Sequence, residues 1–104
     1  ILGAPEAGLK LSEETLQQAT RVRMSGPDAV LTIDANWAAG FLRNSLNIYG
    51  PHEGAFGHSG WGGSFAFADP ESGLAFSYVM NAMGTDLVGD PRTLRLLEAL
   101  YQSL

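Results

Sequence analysis

Phe56-Gly57-His58-Ser59-Gly60-Trp61-Gly62-Gly63-Ser64, continued by Phe65-Ala66-Phe67-Ala68 and, across Asp69-Pro70-Glu71-Ser72-Gly73, by Leu74-Ala75-Phe76-Ser77-Tyr78-Val79-Met80, is the stretch that decides the fold. Ser64 to Ala68 alternates small and aromatic residues, the period of two expected of a strand. Asp69 to Gly73 is a strong turn signal, and so short a connection joins only antiparallel neighbours. Leu74 to Met80 is apolar except for Ser77, which predicts a strand covered on both faces and hence helices on two sides of the sheet. Four glycines fall in this stretch, and Gly60, Gly62 and Gly63 let another group approach the backbone closely. They stand among His58, Ser59, Trp61 and Ser64, side chains that a site could use.

Outward from this stretch, the chain reads as helix, strands, glycine-rich strand, hairpin, helix. Ser12 is a good N-cap, Glu13 and Glu14 suit the positive end of a helix, and Leu11 with Leu16 has the spacing of a hydrophobic staple. These features predict a helix from Glu13 to Arg23, stopped by Ser25-Gly26-Pro27-Asp28. Ala29–Ile33 and Trp37–Leu42 read as short strands, the second weakened by Gly40. Arg43 to Ala55 reads as a loop with a turn at Tyr49-Gly50-Pro51. Asp90-Pro91 opens a last helix, with Leu94, Leu97, Tyr101 and Leu104 as its packed stripe. The expected sheet comprises Trp37–Leu42, Phe56–Trp61, Ser64–Ala68 and Leu74–Met80, with the two helices against it.

Composition narrows the function classes. The 104 residues are 45% hydrophobic, enough for one small core in a single domain. A net charge of −5 with six basic residues argues against nucleic acid, whose phosphates need clustered Lys and Arg. Without cysteine there is no disulfide and no thiolate metal site. His52 and His58 have only Glu53 as a nearby carboxylate, so no metal or other cofactor is expected. No apolar run approaches the ~20 residues of a membrane span. The start at Ile1 suggests a processed or truncated piece of something longer.

His58-Ser59-Gly60-Trp61-Gly62-Gly63-Ser64, then Phe67-Ala68-Asp69-Pro70-Glu71, then Tyr78-Val79-Met80-Asn81 and a capped terminal helix resemble the C-terminal end of the class C β-lactamase-like serine hydrolases. That group includes penicillin-binding-protein-like esterases and D-aminopeptidases. The resemblance is best from Phe56 to Leu104, and Leu11–Asp28 with Trp37-Ala38-Ala39-Gly40-Phe41 extend it more weakly upstream. It implies an α/β (α+β) fold, an antiparallel sheet flanked by helices, as the C-terminal portion of a larger β-lactamase/transpeptidase-like domain. It also implies roles. His58-Ser59-Gly60 matches the Lys-Thr-Gly motif, often His-x-Gly in the esterase branch, which places His58 as a polarising group and Ser59 as a substrate contact. Trp61 would offer its backbone N–H as one oxyanion-hole donor, and Gly60, Gly62 and Asn81 would lie on the substrate side. A histidine in place of lysine removes a fixed positive charge and shifts the expected substrate towards small esters or amides.

The same family needs Ser-x-x-Lys and Tyr-x-Asn or Tyr-x-Ser. Neither is here: Lys10 follows Ala7 at that spacing, and Ser45-Leu46-Asn47 sits on a loop close before His58. One motif of three predicts that the chain alone is inactive, and that it pairs with a missing N-terminal part or with itself. Gly57-His58-Ser59 also begins a Gly-x-Ser-x-Gly elbow, but Trp61 replaces the final glycine and no Asp and His follow in order. The competing reading from a different class is a non-catalytic α/β domain whose glycine-rich strand edge binds a partner strand.

Overall fold

The structure, a computed structural model, describes residues 8–104. Its elements in chain order are α1 (Glu13–Thr20), β1 (Met24–Pro27), β2 (Asp34–Trp37), β3 (Leu42–Arg43), β4 (Phe56–Ser59), β5 (Phe65–Asp69), β6 (Leu74–Tyr78) and α2 (Pro91–Gln102). The six strands form one antiparallel sheet in sequential order, so every connection joins neighbours. The register includes His58 opposite Ala66 and Phe67 opposite Phe76. The expected pairing of Ser64–Ala68 with Leu74–Met80 is present, trimmed to Phe65–Asp69 and Leu74–Tyr78.

Alternation along β5 sets the layers. Phe65, Phe67 and Asp69 are buried on one face, while Ala66 is exposed on the other. The buried face packs with Leu42, Tyr49, Ala55 and the α2 residue Leu97, and Leu74, Phe76, Tyr78, Leu100 and Tyr101 close its rim. Stacked rings run from Phe65 through Phe67 to Tyr49 and Tyr101. The opposite face carries Ala66, Ala75, Ser77 and His58, all exposed. The expectation that Leu74–Met80 is covered on both faces is therefore corrected. Among the described residues β6 is an edge strand, with Leu74, Phe76 and Tyr78 half-buried and Ala75 and Ser77 open.

Upstream, the boundaries move for identifiable reasons. Ser12 caps α1 as expected, accepting from Thr15 N–H at 3.1 Å, but the helix ends at Thr20 and not at Arg23. Arg21 leaves the helical region, and Arg43 Nη1 donates to the Thr20 carbonyl at 2.6 Å, tying the helix end to β3. Ser25, Gly26 and Pro27 are not a stop but part of edge strand β1, where a proline is tolerated. Ala29–Ile33 is not a strand. Asp28 Oδ1 accepts from Val30 N–H (2.8 Å) and Leu31 N–H (2.7 Å), folding these residues into the β1–β2 turn. Nor is Trp37–Leu42 one strand: Trp37 ends β2, Leu42 opens β3, and Gly40 at φ +82° turns between them.

Helix α2 starts where expected, with Asp90 as N-cap and Pro91 in the first turn. Its packed stripe differs. Thr93 and Leu97 are buried and Leu100 and Tyr101 half-buried, whereas Leu94 and Leu104 face solvent. The Arg43–Ala55 loop is built around Asn44, a buried side chain. Its Nδ2 donates to the carbonyls of Gly50 (2.7 Å) and His52 (2.9 Å), and its Oδ1 accepts from Tyr49 N–H at 3.1 Å. Three backbone groups are thereby satisfied without regular structure.

Candidate functional site

Strand β4 carries the glycine-rich motif, and its position in the sheet is not uniform. β3 pairs only with Phe56 and Gly57, so β4 is interior over those two residues. From His58 onward its ladder partner is β5 alone. The free edge of this glycine-rich strand thus begins at His58. Gly57 is required where the strand is interior, because a Cβ there would lie 2.8 Å from Phe67 Cα and also strike the Ala66 carbonyl.

His58 is exposed on the open face of the sheet, its ring 5.7 Å from that of Trp37. His58 Nδ1 is 2.8 Å from the Ser59 carbonyl. A carbonyl only accepts, so this contact requires hydrogen on Nδ1, and Nε2 has no hydrogen-bond partner among the described residues. Ser59 turns the other way, its Oγ 3.2 Å from the hydroxyl of fully buried Tyr49. Burial pushes the Tyr49 phenol up to about 12, against the opposing pull of the Ser59 hydrogen bond, so it stays protonated. His58, Ser59, Gly60 and Ser64 share a shallow depression of about 310 Å³ with Ala66 and Ser77.

Beyond β4 the chain turns tightly. Gly60 N–H donates to the Ser64 carbonyl at 2.7 Å, and Gly62 N–H to the Asp86 carbonyl at 3.0 Å. Between these anchors the Trp61 N–H has no acceptor among the described residues. The Trp61 ring is exposed, and its Nε1 donates to the Thr85 carbonyl at 3.1 Å. Asn81 is exposed, lies beyond the end of β6 and does not line the depression. The structure therefore groups His58, Ser59 and Gly60, continues directly into Trp61 and Gly62, and leaves Asn81 apart.

Two polar clusters were missed by sequence reasoning. Asp90 and Arg92 form a bidentate pair, Nε to Oδ1 at 3.0 Å and Nη2 to Oδ2 at 2.8 Å. Hydrogen bonds from the Arg92 side chain and then its backbone N–H hold the Asp90 carboxyl at about 2. The pair lies against the turn that carries Trp61. The second cluster is farther off: fully buried Asp69 takes the Tyr101 hydroxyl at 2.6 Å and lies 2.7 Å from His52 Nδ1. Ser72 Oγ approaches the same His52 nitrogen at 3.2 Å. A Ser-His-Asp relay uses the two ring nitrogens for its two partners, so this cluster is not one.

A family model described as Beta-lactamase matches residues 2–100. The chain belongs to the beta-lactamase family. Among curated proteins, the Esterase/beta-lactamase LipL of Mycobacterium tuberculosis (strain ATCC 25618 / H37Rv) is 37% identical over 79 residues, 75% of this chain and 18% of that protein. The crystal structure of a family VIII carboxylesterase superposes with a TM-score of 0.87 at 45% identity, over 90% of this chain and 26% of that one. A penicillin-binding protein homolog from Caulobacter crescentus gives the same TM-score and coverage at 53% identity. The chain spans between about a fifth and a quarter of the length of these beta-lactamase-family relatives. The antiparallel sheet with its two helices is the corresponding part of their fold.

Proposed function

We propose that these residues act as the C-terminal portion of a larger serine hydrolase domain that cleaves a small ester or amide through an acyl-enzyme. The observation that carries the reading is the Trp61 N–H, without an acceptor among the described residues, between two anchored glycines and three residues beyond an exposed histidine. In this reading Trp61 N–H is one oxyanion-hole donor, and the second comes from the nucleophile's own N–H in residues N-terminal to this segment. The His58 imidazole, with Nε2 open, polarises or exchanges a proton with the reacting groups. Gly60 and Gly62 leave the backbone on either side of Trp61 without side chains, and Ser59 supplies a polar contact held by Tyr49; Asn81, expected on the substrate side, lies outside the depression. The names of the relatives, an esterase/beta-lactamase and a carboxylesterase, favour esters over other acyl compounds.

Without Ser-x-x-Lys the chain alone lacks the attacking group, and its uncovered sheet face should pair with the nucleophile-bearing part or with a second copy. The test is release of p-nitrophenol from a short-chain ester. The longer protein should turn it over, His58→Ala should lower that turnover about 10-fold or more, and this chain alone should match its Ser59→Ala control. A full rate in His58→Ala would remove the role given to His58.

A further inference from the structure

Arg92 sits in the first turn of α2, yet its guanidinium works 30 positions away in sequence. Nη2 donates to the Gly62 carbonyl at 3.0 Å and Nη1 to the Ala82 carbonyl at 2.7 Å, while Asp90 grips Nε and Nη2. Four of the five guanidinium hydrogens are thereby assigned, which leaves the fork little freedom. Two glycines make room for it. A Cβ on Gly63 would come within 2.7 Å of Asp90 Oδ2, and one on Gly84 within 2.6 Å. The Gly62 carbonyl also accepts from Gly84 N–H at 2.7 Å, so Gly62 is fixed at both its N–H and its carbonyl. Trp61 is the residue between this fixed point and the Gly60–Ser64 hydrogen bond.

We propose that Arg92, locked by Asp90, is a positioning residue that sets the direction of the Trp61 N–H by holding the Gly62 carbonyl. The inference rests on the reading of Trp61 as an oxyanion donor. A lysine at this position reaches one carbonyl at a time and lacks the fork that grips Asp90. The clamp also joins the 81–90 loop to the turn, so displacement of either moves the other.

Two variants test it from opposite sides. Arg92→Gln removes the charge and the fork. Gly84→Ala keeps both but drives a methyl into the Asp90–Arg92 pair. In the chain itself, amide correlation spectra should show the Trp61 backbone and indole resonances shifted in both variants, with Phe67 and Leu97 amides unmoved. In the longer hydrolase, kcat should fall about 10-fold or more while KM changes less than about threefold, with partial recovery in Arg92→Lys, since loss or misplacement of one oxyanion donor acts on the transition state. Unmoved Trp61 resonances in the folded variants would overturn the inference, as would shifted resonances with an unchanged kcat. A longer protein without esterase activity in its unmutated form would instead overturn the proposed function, and the spectra would still decide whether Arg92 sets Trp61.

Discussion

Replacing Asp69 by alanine should destabilise this domain by about 3–5 kcal/mol, because several buried polar groups lose their partner at about 1–3 kcal/mol each. The side chain is fully buried and is met by four groups: Tyr101 hydroxyl at 2.6 Å, His52 Nδ1 at 2.7 Å, Glu71 N–H at 3.1 Å and Ser72 N–H at 3.4 Å. Through them it joins the β5–β6 turn, the 44–55 loop and the end of α2. Asp69→Asn keeps an oxygen for the turn amides but places an NH2 where Oδ2 faces His52 and Tyr101, so its cost should be about 1–3 kcal/mol. Urea unfolding at pH 7 measures both. At about 4–8 °C per kcal/mol for a domain of this size, the alanine variant should also melt ~12–40 °C lower. The pH dependence gives the sign. Burial pushes the Asp69 carboxyl up, but hydrogen bonds from His52, Tyr101 and Ser72 outweigh it and hold it at about 2, below the usual 3.8. A depressed folded pKa contributes stability above 3.8 that is lost as pH falls through about 2. The carboxyl's own share of the difference between wild type and Asp69→Asn should therefore be full at pH 7 and shrink between pH 4 and 2. An Asp69→Ala variant within a few degrees of wild type would refute the reasoning, as would a gap to Asp69→Asn that does not narrow in acid.

His52 moves the other way: the Asp69 hydrogen bond raises its pKa, so its contribution is present below the ordinary 6.5 and is lost as pH rises through the folded value, which an NMR titration of the ring should place above 6.5. Gly57→Ala should cost about 3 kcal/mol or more because backbone, not a flexible side chain, meets the new methyl, whereas Gly54→Ala should be within about 0.5 kcal/mol, and thermal melts separate the two. In the proposed longer hydrolase, Ser64→Ala should change melting temperature more than turnover. The isolated chain should sediment as a dimer or larger at high concentration, since the β6 edge and the Ala66–Ala75 face are open; a compact monomer would count against that.

Local signals in the sequence were read correctly where they act over a few residues. The Asp69–Gly73 turn, the alternation of Phe65 to Ala68, the Ser12 cap and the Asp90-Pro91 start all appear in the fold. Ala29–Ile33 misled because its apolar composition suits a strand, while the Asp28 side chain offers those backbone amides a turn instead. The stripe of α2 was misplaced because Thr93 is polar by type, yet it is buried with its hydroxyl donating to the Asp90 carbonyl at 2.7 Å. In the candidate site, His58 to Gly62 was legible as a contiguous motif. Arg92 was not, since it meets Gly62 across 30 positions, nor was Asp69 with Tyr101 across 32. Such pairings depend on how α2 lies on the sheet, and no local pattern records that.

In the proposed reaction the Trp61 N–H faces the oxyanion of an acyl-transfer step. The most direct test is a crystal structure of the longer hydrolase carrying a phosphonate on its nucleophile, which fixes the oxyanion as a phosphonyl oxygen. That oxygen is expected at about 2.7–3.1 Å from Trp61 N, with the Arg92 fork still on the Gly62 carbonyl. A phosphonyl oxygen held by other donors, with Trp61 N beyond hydrogen-bonding distance, would contradict it.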